Sequence, residues 1–220
     1  MAKPGTASRL TGRGAERADG TRRALVEAAI EVLKADGFGG ASARAIAGRA
    51  GCNQGLVFYH FGSVINLLLE ALDSVSATRL AAYGESVAGV DSLTDLVEVA
   101  AAIFEEDLDA GHVSVLVAMI AGASSTPGLG PEVAKRIAPW TNFARQAVDA
   151  SLGSSALGGV IPSADIALAV VALYVGLEML SQLDGDRSPA LGLFDRAGQL
   201  AALVAAFAGP AGPTGSAAAS

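Results

Sequence analysis

Apolar residues recur at helical spacing along most of the chain, and the first clear run begins near Thr21. One helix face is formed by Leu25, Ala28, Ala29, Val32 and Leu33, which follow the i, i+3, i+4, i+7, i+8 pattern. Thr21 is a suitable N-cap for this helix, and Gly37 is a suitable place for it to end. Residues 1–20 show no such periodicity and are rich in Gly and Arg, so they are predicted to form a flexible arm.

Two short helices joined by a turn are predicted next. Ser42 caps the first, over residues 43–50, and Asn53 caps the second, over residues 54–60. Such a pair is the helix-turn-helix arrangement, whose second helix enters the major groove of DNA. Three apolar side chains of this region are expected to pack in its core: Val57, Phe58 and Phe61.

The remaining pattern predicts six further helices, separated by Ser, Gly and Pro. Ser92 with Asp95 resembles a capping box, and Ser163 and Ser188 are suitable N-caps. The helices are expected over residues 63–88, 92–110, 112–123, 132–152, 163–183 and 188–208. The longest apolar stretch, residues 166–177, is too short to span a membrane before Glu178 interrupts it, so a buried helix is expected there.

These patterns predict an all-α fold of about nine helices. Its parts are the arm (residues 1–20), a three-helix helix-turn-helix head (residues 21–66), a helical body (residues 67–208) and a disordered tail (residues 209–220). The heavy use of Ala, Leu and Val, with only 5% aromatic residues, agrees with closely packed helices.

Charge is divided unevenly along the chain. The whole chain carries −7, which taken alone argues against a nucleic-acid partner. Residues 1–64, however, hold nine basic and five acidic side chains, a net of +4, which leaves −11 for residues 65–220. A basic head on an acidic body would approach phosphate by one end only.

The composition also limits the chemistry. Because Cys52 is the only cysteine, no internal disulfide can form, and no Cys/His cluster has the spacing of a zinc site. We expect a cytoplasmic location, no metal, no cofactor and no membrane partner. Cys52 is interpreted as a small apolar residue that packs in the turn, and a redox-sensing thiol is the alternative. With only two histidines, and with no phosphate loop or convincing nucleophile and base, the sequence does not indicate an enzyme.

Residues 21–68, about a fifth of the chain, resemble the DNA-binding head of the TetR family. The resemblance rests on the run ASARAIA, which begins at Ala41, and on AGCNQGLVFYHFGS, which begins at Ala50. It implies a homodimer whose two recognition helices read successive major grooves of a palindromic operator in double-stranded DNA.

The residues expected to contact DNA are Ser42, Arg44, Asn53, Gln54, Gly55, Leu56, Tyr59 and His60. Gln54 can bond bidentately to adenine, Leu56 can contact a thymine methyl group, and Gly55 lets the backbone approach closely. Ser42 would offer its hydroxyl and the helix amides to a phosphate. The resemblance implies phosphate contacts from Tyr59 and His60. Arg44 and Arg49 are either contacts to DNA or solvated helix residues.

Two positions depart from the family pattern. Phe58 stands where the family often has Tyr, and Val64 stands where Lys is common, so a hydroxyl and a cation are missing. We therefore expect the arm to supply replacement contacts to phosphate or the minor groove through three arginines, Arg9, Arg13 and Arg17.

In the body, a few large or polar residues interrupt helices built of Ala, Val and Leu. The candidates to line an effector site are Phe104, His112, Met119, Trp140, Phe143, Tyr174 and Glu178, with Met179 beside them. Ordinary packing is the alternative for each. Glu178 is the sharpest candidate, because a carboxylate in an apolar stripe requires a partner or a ligand.

The last two predicted helices carry small and apolar residues at helical spacing. They are Ile166, Val170, Leu173, Leu177 and Leu180 on one, and Leu193, Phe194, Ala197, Leu200, Ala201 and Val204 on the other. The resemblance implies that this pair packs against its twin as a four-helix bundle, and an internal core is the alternative.

The favoured function is a sequence-specific DNA-binding transcriptional regulator. A repressor is expected, released when a small-molecule effector changes the spacing of the two heads, although activation is also compatible with the sequence. The alternative is a helical interaction or scaffold protein with a degenerate head. Val64 favours that alternative slightly, while the basic head with Gln54, Tyr59 and His60 argues against it.

Overall fold

The structure is a computed structural model that describes residues 7–152 and 161–208, with the side chains of residues 7–15, 184, 207 and 208 outside the description. These ranges contain nine helices and no strand, which confirms the all-α prediction for them. The helices are α1 (Ala7–Gly40), α2 (Ala43–Arg49), α3 (Gly55–Phe61), α4 (Val64–Val87), α5 (Leu93–Ala110), α6 (His112–Ala123), α7 (Leu129–Leu152), α8 (Ser163–Asp184) and α9 (Ser188–Ala208).

Helix α1 starts earlier than the apolar pattern predicts. Residues 7–20 are helical, so the prediction of a flexible arm is wrong for them, while residues 1–6 lie outside the described chain. The Thr21 hydroxyl donates to the Arg17 carbonyl (2.9 Å), which is the bond of a residue inside a helix and not of an N-cap. Residues 7–20 contain no proline and several good helix formers, so they extend a helix without any apolar periodicity. Gly37, with φ 66° and ψ −171°, interrupts the helical geometry at the predicted place.

Some helix starts are set by the predicted residues and others are not. Ser92 Oγ accepts a hydrogen bond from the Asp95 amide (3.1 Å) and donates to the Asp95 carboxylate (2.7 Å), which confirms that cap. Helix α7 begins three residues before the predicted Glu132, because Pro131 is tolerated in a first turn. Ser163 is the first residue of α8 and does not cap it. Ser188 is the first residue of α9 and does not cap it, because its amide donates to Asp186 Oδ1 (2.9 Å). The predicted Gly/Ser-rich loop at residues 153–160 and the tail at residues 209–220 lie outside the description.

The chain divides into two compact units. The first contains the described residues up to Arg79 together with Gly111–Ile137, and the second contains Leu80–Ala110 with the described residues from Ala138 onwards. This division differs from the predicted boundary at residues 66 and 67, since α6 and the start of α7 fall in the first unit. Helices α4 and α7 each contribute to both units.

The core of the first unit brings helix α6 against the head. Helix α6 packs along α1, and Gly122 of α6 faces the ring of Phe38 so closely that a Cβ atom would overlap it. Val115 and Met119 of α6 are fully buried in the same cluster as Ile46 and Val57 of the two short helices. Helix α6 therefore packs along α1 and contributes to the same apolar core as α2 and α3.

In the second unit, α5 packs along α9, and a small core forms around Phe104, Leu177 and Ala190. Helix α8 is largely exposed in the isolated chain, in contrast to the buried helix that its apolar run predicts. Its described buried side chains are Ala167, Leu177, Glu178 and Ser181, while its exposed apolar side chains are Leu168, Val170, Leu173, Met179, Leu180 and Leu183. Helix α9 adds exposed Leu193, Leu200 and Leu203.

Helix α8 is also the one single helix among the described residues that is long and apolar enough to cross a membrane. The stretch Ser163–Leu183 has a mean hydropathy of 1.9 over its most apolar window. Helices of non-membrane proteins can meet the same criteria, so this is weak evidence for a span.

Gly122→Ala should lower the free energy of unfolding by about 1–3 kcal/mol, because the added methyl group must displace the Phe38 ring in the core. Urea denaturation followed by circular dichroism measures the change. Gly48→Ala is the matched control: this α2 glycine has open space around its Cβ position, and alanine there should keep stability or raise it by up to about 1 kcal/mol. Equal effects at both sites would contradict the proposed α1–α6 packing.

Candidate nucleic-acid interface and buried carboxylate cluster

Helix α2 and its turn are held by local hydrogen bonds. Ser42 Oγ accepts from the Ala45 amide (3.2 Å), which confirms Ser42 as the N-cap. Gly51 adopts the left-handed conformation (φ 66°) after the helix, and the Cys52 amide donates to the Ala47 carbonyl (2.9 Å). Cys52 is half-buried against the head core, and burial raises the pKa of its thiol. This placement agrees with Cys52 as a packed turn residue.

Asn53 fixes the start of α3. Its Oδ1 atom accepts a hydrogen bond from the Gly55 amide (2.7 Å), as expected for a capping side chain. A Cβ atom at Gly55 would lie 3.1 Å from that same oxygen. A side chain at position 55 would therefore crowd the capping oxygen of Asn53, which favours glycine there independently of any approach to DNA.

The outward face of α3 differs from the prediction at two apolar positions. Val57 and Phe61 are buried at i, i+4 spacing, which directs Phe58 outward, with 52% of its surface exposed. The prediction that Phe58 packs in the core is therefore wrong. Leu56 is half-buried against the core, so Phe58 is the more accessible apolar side chain.

The polar residues of α3 are open to solvent or nearly so. Gln54 and Gly55 are exposed, and the Tyr59 ring is 79% exposed. His60 is half-buried, and its ring meets Tyr59 edge to face with centroids 5.0 Å apart. Gln54, Phe58 and Tyr59 are therefore all accessible on or beside α3.

The basic side chains of the head differ in how they are engaged. Arg49 pairs with Glu31 (3.1 Å), and Arg22 pairs with Glu70 (2.8 Å) while lying over the Phe61 ring. Arg44 is exposed and has no ion-pair partner among the described residues. Arg17 is exposed on α1, whereas the side chains of Arg9 and Arg13 lie outside the description.

The junction of α3 and α4 is fixed by the residues around Gly62, which has φ 74°. Ser63 Oγ accepts from the Asn66 amide (3.1 Å), and Asn66 Nδ2 donates to the Phe61 carbonyl (2.8 Å). These bonds cap the end of α3 and the start of α4 without the missing lysine at Val64.

The predicted effector residues are divided between the units. Phe104, Trp140, Phe143, Tyr174 and Glu178 lie in the second unit, whereas His112 and Met119 lie in the first. Met119 is fully buried in the core of the first unit, which supports the packing alternative for it. Met179 is exposed on α8.

Sequence reasoning missed the residues at the centre of the second-unit group. Asp107 is 2% exposed, and its Oδ2 atom accepts hydrogen bonds from the Tyr174 hydroxyl (2.6 Å) and the Tyr83 hydroxyl. Burial and the neighbouring carboxyl raise the pKa of Tyr174 well above its usual range, so its hydroxyl keeps the proton that it donates. The available signal was spacing, because Asp107 follows Phe104 by three residues on the same face of α5.

Aromatic rings surround this carboxyl group. Phe104 meets Tyr174 edge to face and lies near Phe194, with centroids 5.2 Å apart in both pairs. Tyr83 lies 5.7 Å from Trp140 and 6.4 Å from Phe143, again between centroids. The five second-unit candidates are therefore close to one polar centre that the sequence did not reveal.

Glu178 is completely buried on α8. Its Oε1 atom accepts from Gln182 Nε2 (2.8 Å), while Oε2 is enclosed and has no hydrogen-bond partner. Burial raises the pKa of Glu178, and the nearby Asp107 adds to the shift, while the Gln182 bond and Arg187 oppose it. Among the described residues, no three His, Cys, Asp or Glu side chains are grouped so that they could hold a metal ion.

Residues 25–71 match the sequence model described as bacterial regulatory proteins of the tetR family. The HTH-type transcriptional repressor NicS of Pseudomonas putida is 34% identical over 71 residues. That alignment covers 32% of this chain and about a third (34%) of the length of NicS.

Solved structures share the fold over most of the chain. A TetR-family regulator from Cytophaga hutchinsonii gives a TM-score of 0.68 at 15% identity, covering 84% of this chain and 95% of its own. FadR of Bacillus subtilis in complex with stearoyl-CoA gives 0.68 at 12% identity, covering 81% and 96%. The tetR family match is therefore shown for residues 25–71, and the solved structures show that the rest of the chain shares their fold.

Asn53→Ala should lower the free energy of unfolding by about 0.5–2 kcal/mol, because it removes the acceptor for the Gly55 amide. Urea denaturation measures this loss. Asn53→Asp is the matched control, since its carboxylate keeps the acceptor and should retain most of the stability. If both variants lose the same amount, the hydrogen bond is not the cause.

Glu178→Gln should stabilise the protein increasingly as the pH rises. In the wild type, Glu178 loses its proton near the ordinary pKa of 4.5 when the protein is unfolded, and at a higher pH when it is folded. The free energy of unfolding therefore falls as the pH rises from 4.5 towards the pKa of the folded state. The glutamine side chain does not ionise and is free of this loss.

Chemical denaturation at about pH 5 and about pH 8 tests this difference. Glu105→Gln, which changes an exposed carboxylate on α5, should show almost no pH-dependent difference from the wild type. A stabilisation by Glu178→Gln that is the same at both pH values would contradict the proposed ionisation cost.

Proposed function

We propose that this chain is a sequence-specific DNA-binding transcriptional regulator, acting as a cytoplasmic homodimer on a palindromic operator. The observation that carries the proposal is the exposed face of α3, where Gln54, Phe58 and Tyr59 are accessible at the end of a helix-turn-helix that matches the tetR family. The similarity of the head to the NicS repressor favours repression over activation.

Each exposed residue suits a known kind of contact with DNA. Gln54 can bond to adenine in the major groove, and Phe58 can take the thymine methyl contact that the sequence suggested for Leu56. Tyr59, His60 and the capped start of α2 at Ser42 suit phosphate oxygens. Arg44 adds a cation that no described carboxylate neutralises.

The exposed apolar surface of α8 and α9 supports the homodimer. Leu173, Leu180, Leu200 and Leu203 are among its large side chains, and each has more than half of its surface exposed in the isolated chain. Apolar surface of this extent marks an interaction site, and a second copy of the helix pair would complete a four-helix bundle. Two heads would then be spaced for two half-sites.

An effector site in the second unit completes the proposal. Aromatic side chains surround buried Asp107 and Glu178, and an apolar lining with a few polar groups is typical of small-molecule sites. FadR of Bacillus subtilis was solved with stearoyl-CoA, so a protein of the same fold takes a small molecule. The degenerate-head alternative is disfavoured by the accessible Gln54, Tyr59 and Arg44. No enzymatic activity is part of the proposal.

The experiment measures binding of the purified full chain to its own upstream DNA by fluorescence anisotropy across a salt series. Gln54→Ala with Tyr59→Ala should abolish sequence-selective binding, because the base and phosphate contacts of α3 are removed. Arg44→Ala should weaken binding and reduce the slope of log K against log salt by about one.

Arg196→Ala is the control for the arginine, since it removes an exposed cation from the second unit and should leave the salt slope unchanged. Binding that does not respond to salt, or that survives the α3 substitutions, would support the scaffold alternative instead.

A further inference from the structure

The buried polar groups of the second unit contain one oxygen that the protein leaves unsatisfied. Glu178 has no exposed surface, and its Oε2 atom has no hydrogen-bond partner. Buried carboxylates are normally paired or fully hydrogen-bonded, because leaving water is costly for the charged form. Glu178 is therefore a carboxyl group that lacks a donor or a positive charge.

A second carboxyl group, that of Asp107, lies near Glu178 and accepts hydrogen bonds from two tyrosines. Asp107 Oδ2 accepts hydroxyl bonds from Tyr83 and Tyr174, and Asp107 is close enough to raise the pKa of Glu178. The positive charge of Arg187 opposes the rise in the pKa of Glu178, but the guanidinium group of Arg187 pairs with Asp109. Among the described residues, no guanidinium or ammonium group is therefore bonded to Glu178 Oε2.

The aromatic residues of the chain are concentrated around the same place. Six of its eleven aromatic side chains form two contacting sets here: Tyr83, Trp140 and Phe143, and Phe104, Tyr174 and Phe194. Aromatic faces attract cations and also bury apolar groups. The two sets meet at Asp107, because it binds a tyrosine of each.

We propose that this cluster binds an organic cation with an apolar body, whose positive group is held by Glu178 and Asp107 while the aromatic side chains enclose the rest. The inference rests on the proposed function in one respect, namely that such a molecule is the effector of the regulator. It names the chemical class of ligand, which neither the family nor the fold specifies.

The charge of the site selects against the other ligand classes. An anionic ligand would place its charge beside the buried Glu178 carboxyl group, and like charges in a low-dielectric site repel strongly. A neutral ligand would leave the charge of Glu178 without a counterion. A cation supplies both the missing counterion and, when it is a protonated amine, the missing donor for Oε2.

The test uses Trp140, the single tryptophan of the chain, as a reporter inside the cluster. The full-length protein is titrated with phenylalkyl trimethylammonium ions of increasing chain length, with the corresponding alcohols and with the corresponding carboxylates. Tryptophan fluorescence follows binding, and calorimetry gives the stoichiometry. The same titrations are made on Glu178→Gln and on Glu105→Gln, which changes an exposed carboxylate of α5.

The cations should bind saturably and more tightly than the alcohols, with the carboxylates weakest. Glu178→Gln should weaken the cations by at least about tenfold and change the alcohols by less than about twofold, because only the charged contact is lost. Glu105→Gln should match the wild type. Equal affinities for cations and alcohols in the wild-type protein would overturn the proposal without reference to any variant, as would the absence of saturable binding by all of the cations.

Operator binding measured on the same preparations separates the two proposals. Selective operator binding without cation binding would overturn the ligand class and leave the regulator intact. Cation binding that depends on Glu178, in a protein that binds no operator, would support the site and overturn its role in transcription. Release of the operator by the cations, lost in Glu178→Gln, would support both.

Discussion

The residues proposed to contact DNA depend on the burial of one side of two helices that are too short to be stable alone. Helices α2 and α3 have seven residues each, and an isolated helix of that length is not stable in water. They exist because Ile46 and Val57 are fully buried in a common core with residues of α1, α4 and α6. The direction in which Gln54, Phe58 and Tyr59 point is therefore a consequence of packing behind them.

The second unit is organised by a different constraint, the burial of carboxyl groups among aromatic rings. Asp107 on α5 accepts bonds from hydroxyls on α4 and α8, so one oxygen atom ties three helices together. Glu178 is satisfied only at Oε1. The first carboxyl group contributes to the fold by joining helices, whereas the second is buried with one oxygen that no group in the protein satisfies, as expected of a group that serves binding.

Local signals in the sequence predicted several of the helix starts. Ser42, Asn53 and the Ser92–Asp95 pair act within three residues of their own positions, so their roles are readable without a tertiary structure. The N-cap assigned to Thr21 was wrong because helix-forming residues precede it and the helix simply continues. The all-α fold followed from periodicity, which needs no knowledge of partners.

Errors arose where the outcome depends on what packs against a residue. Phe58 is as apolar as Phe61, and only the position of the core decides that one is exposed and the other buried. The apolar run of α8 indicated burial, yet in the isolated chain most of it faces outward. Asp107 was missed for the same reason, since α5 carries several acids and their sequence does not show that two hydroxyl groups from distant parts of the chain converge on this one.

The position of α6 has a consequence for how such regulators can recombine. Because α6 supplies Val115, Met119 and Gly122 to the packing of the first unit, the compact unit that contains α2 and α3 is not a contiguous segment. A chimera joined between residues 66 and 67 would pair one protein's head with another's α6 and place a foreign side chain against Phe38. New combinations of operator and effector should therefore arise more readily by substitution on α3 than by exchange of whole heads.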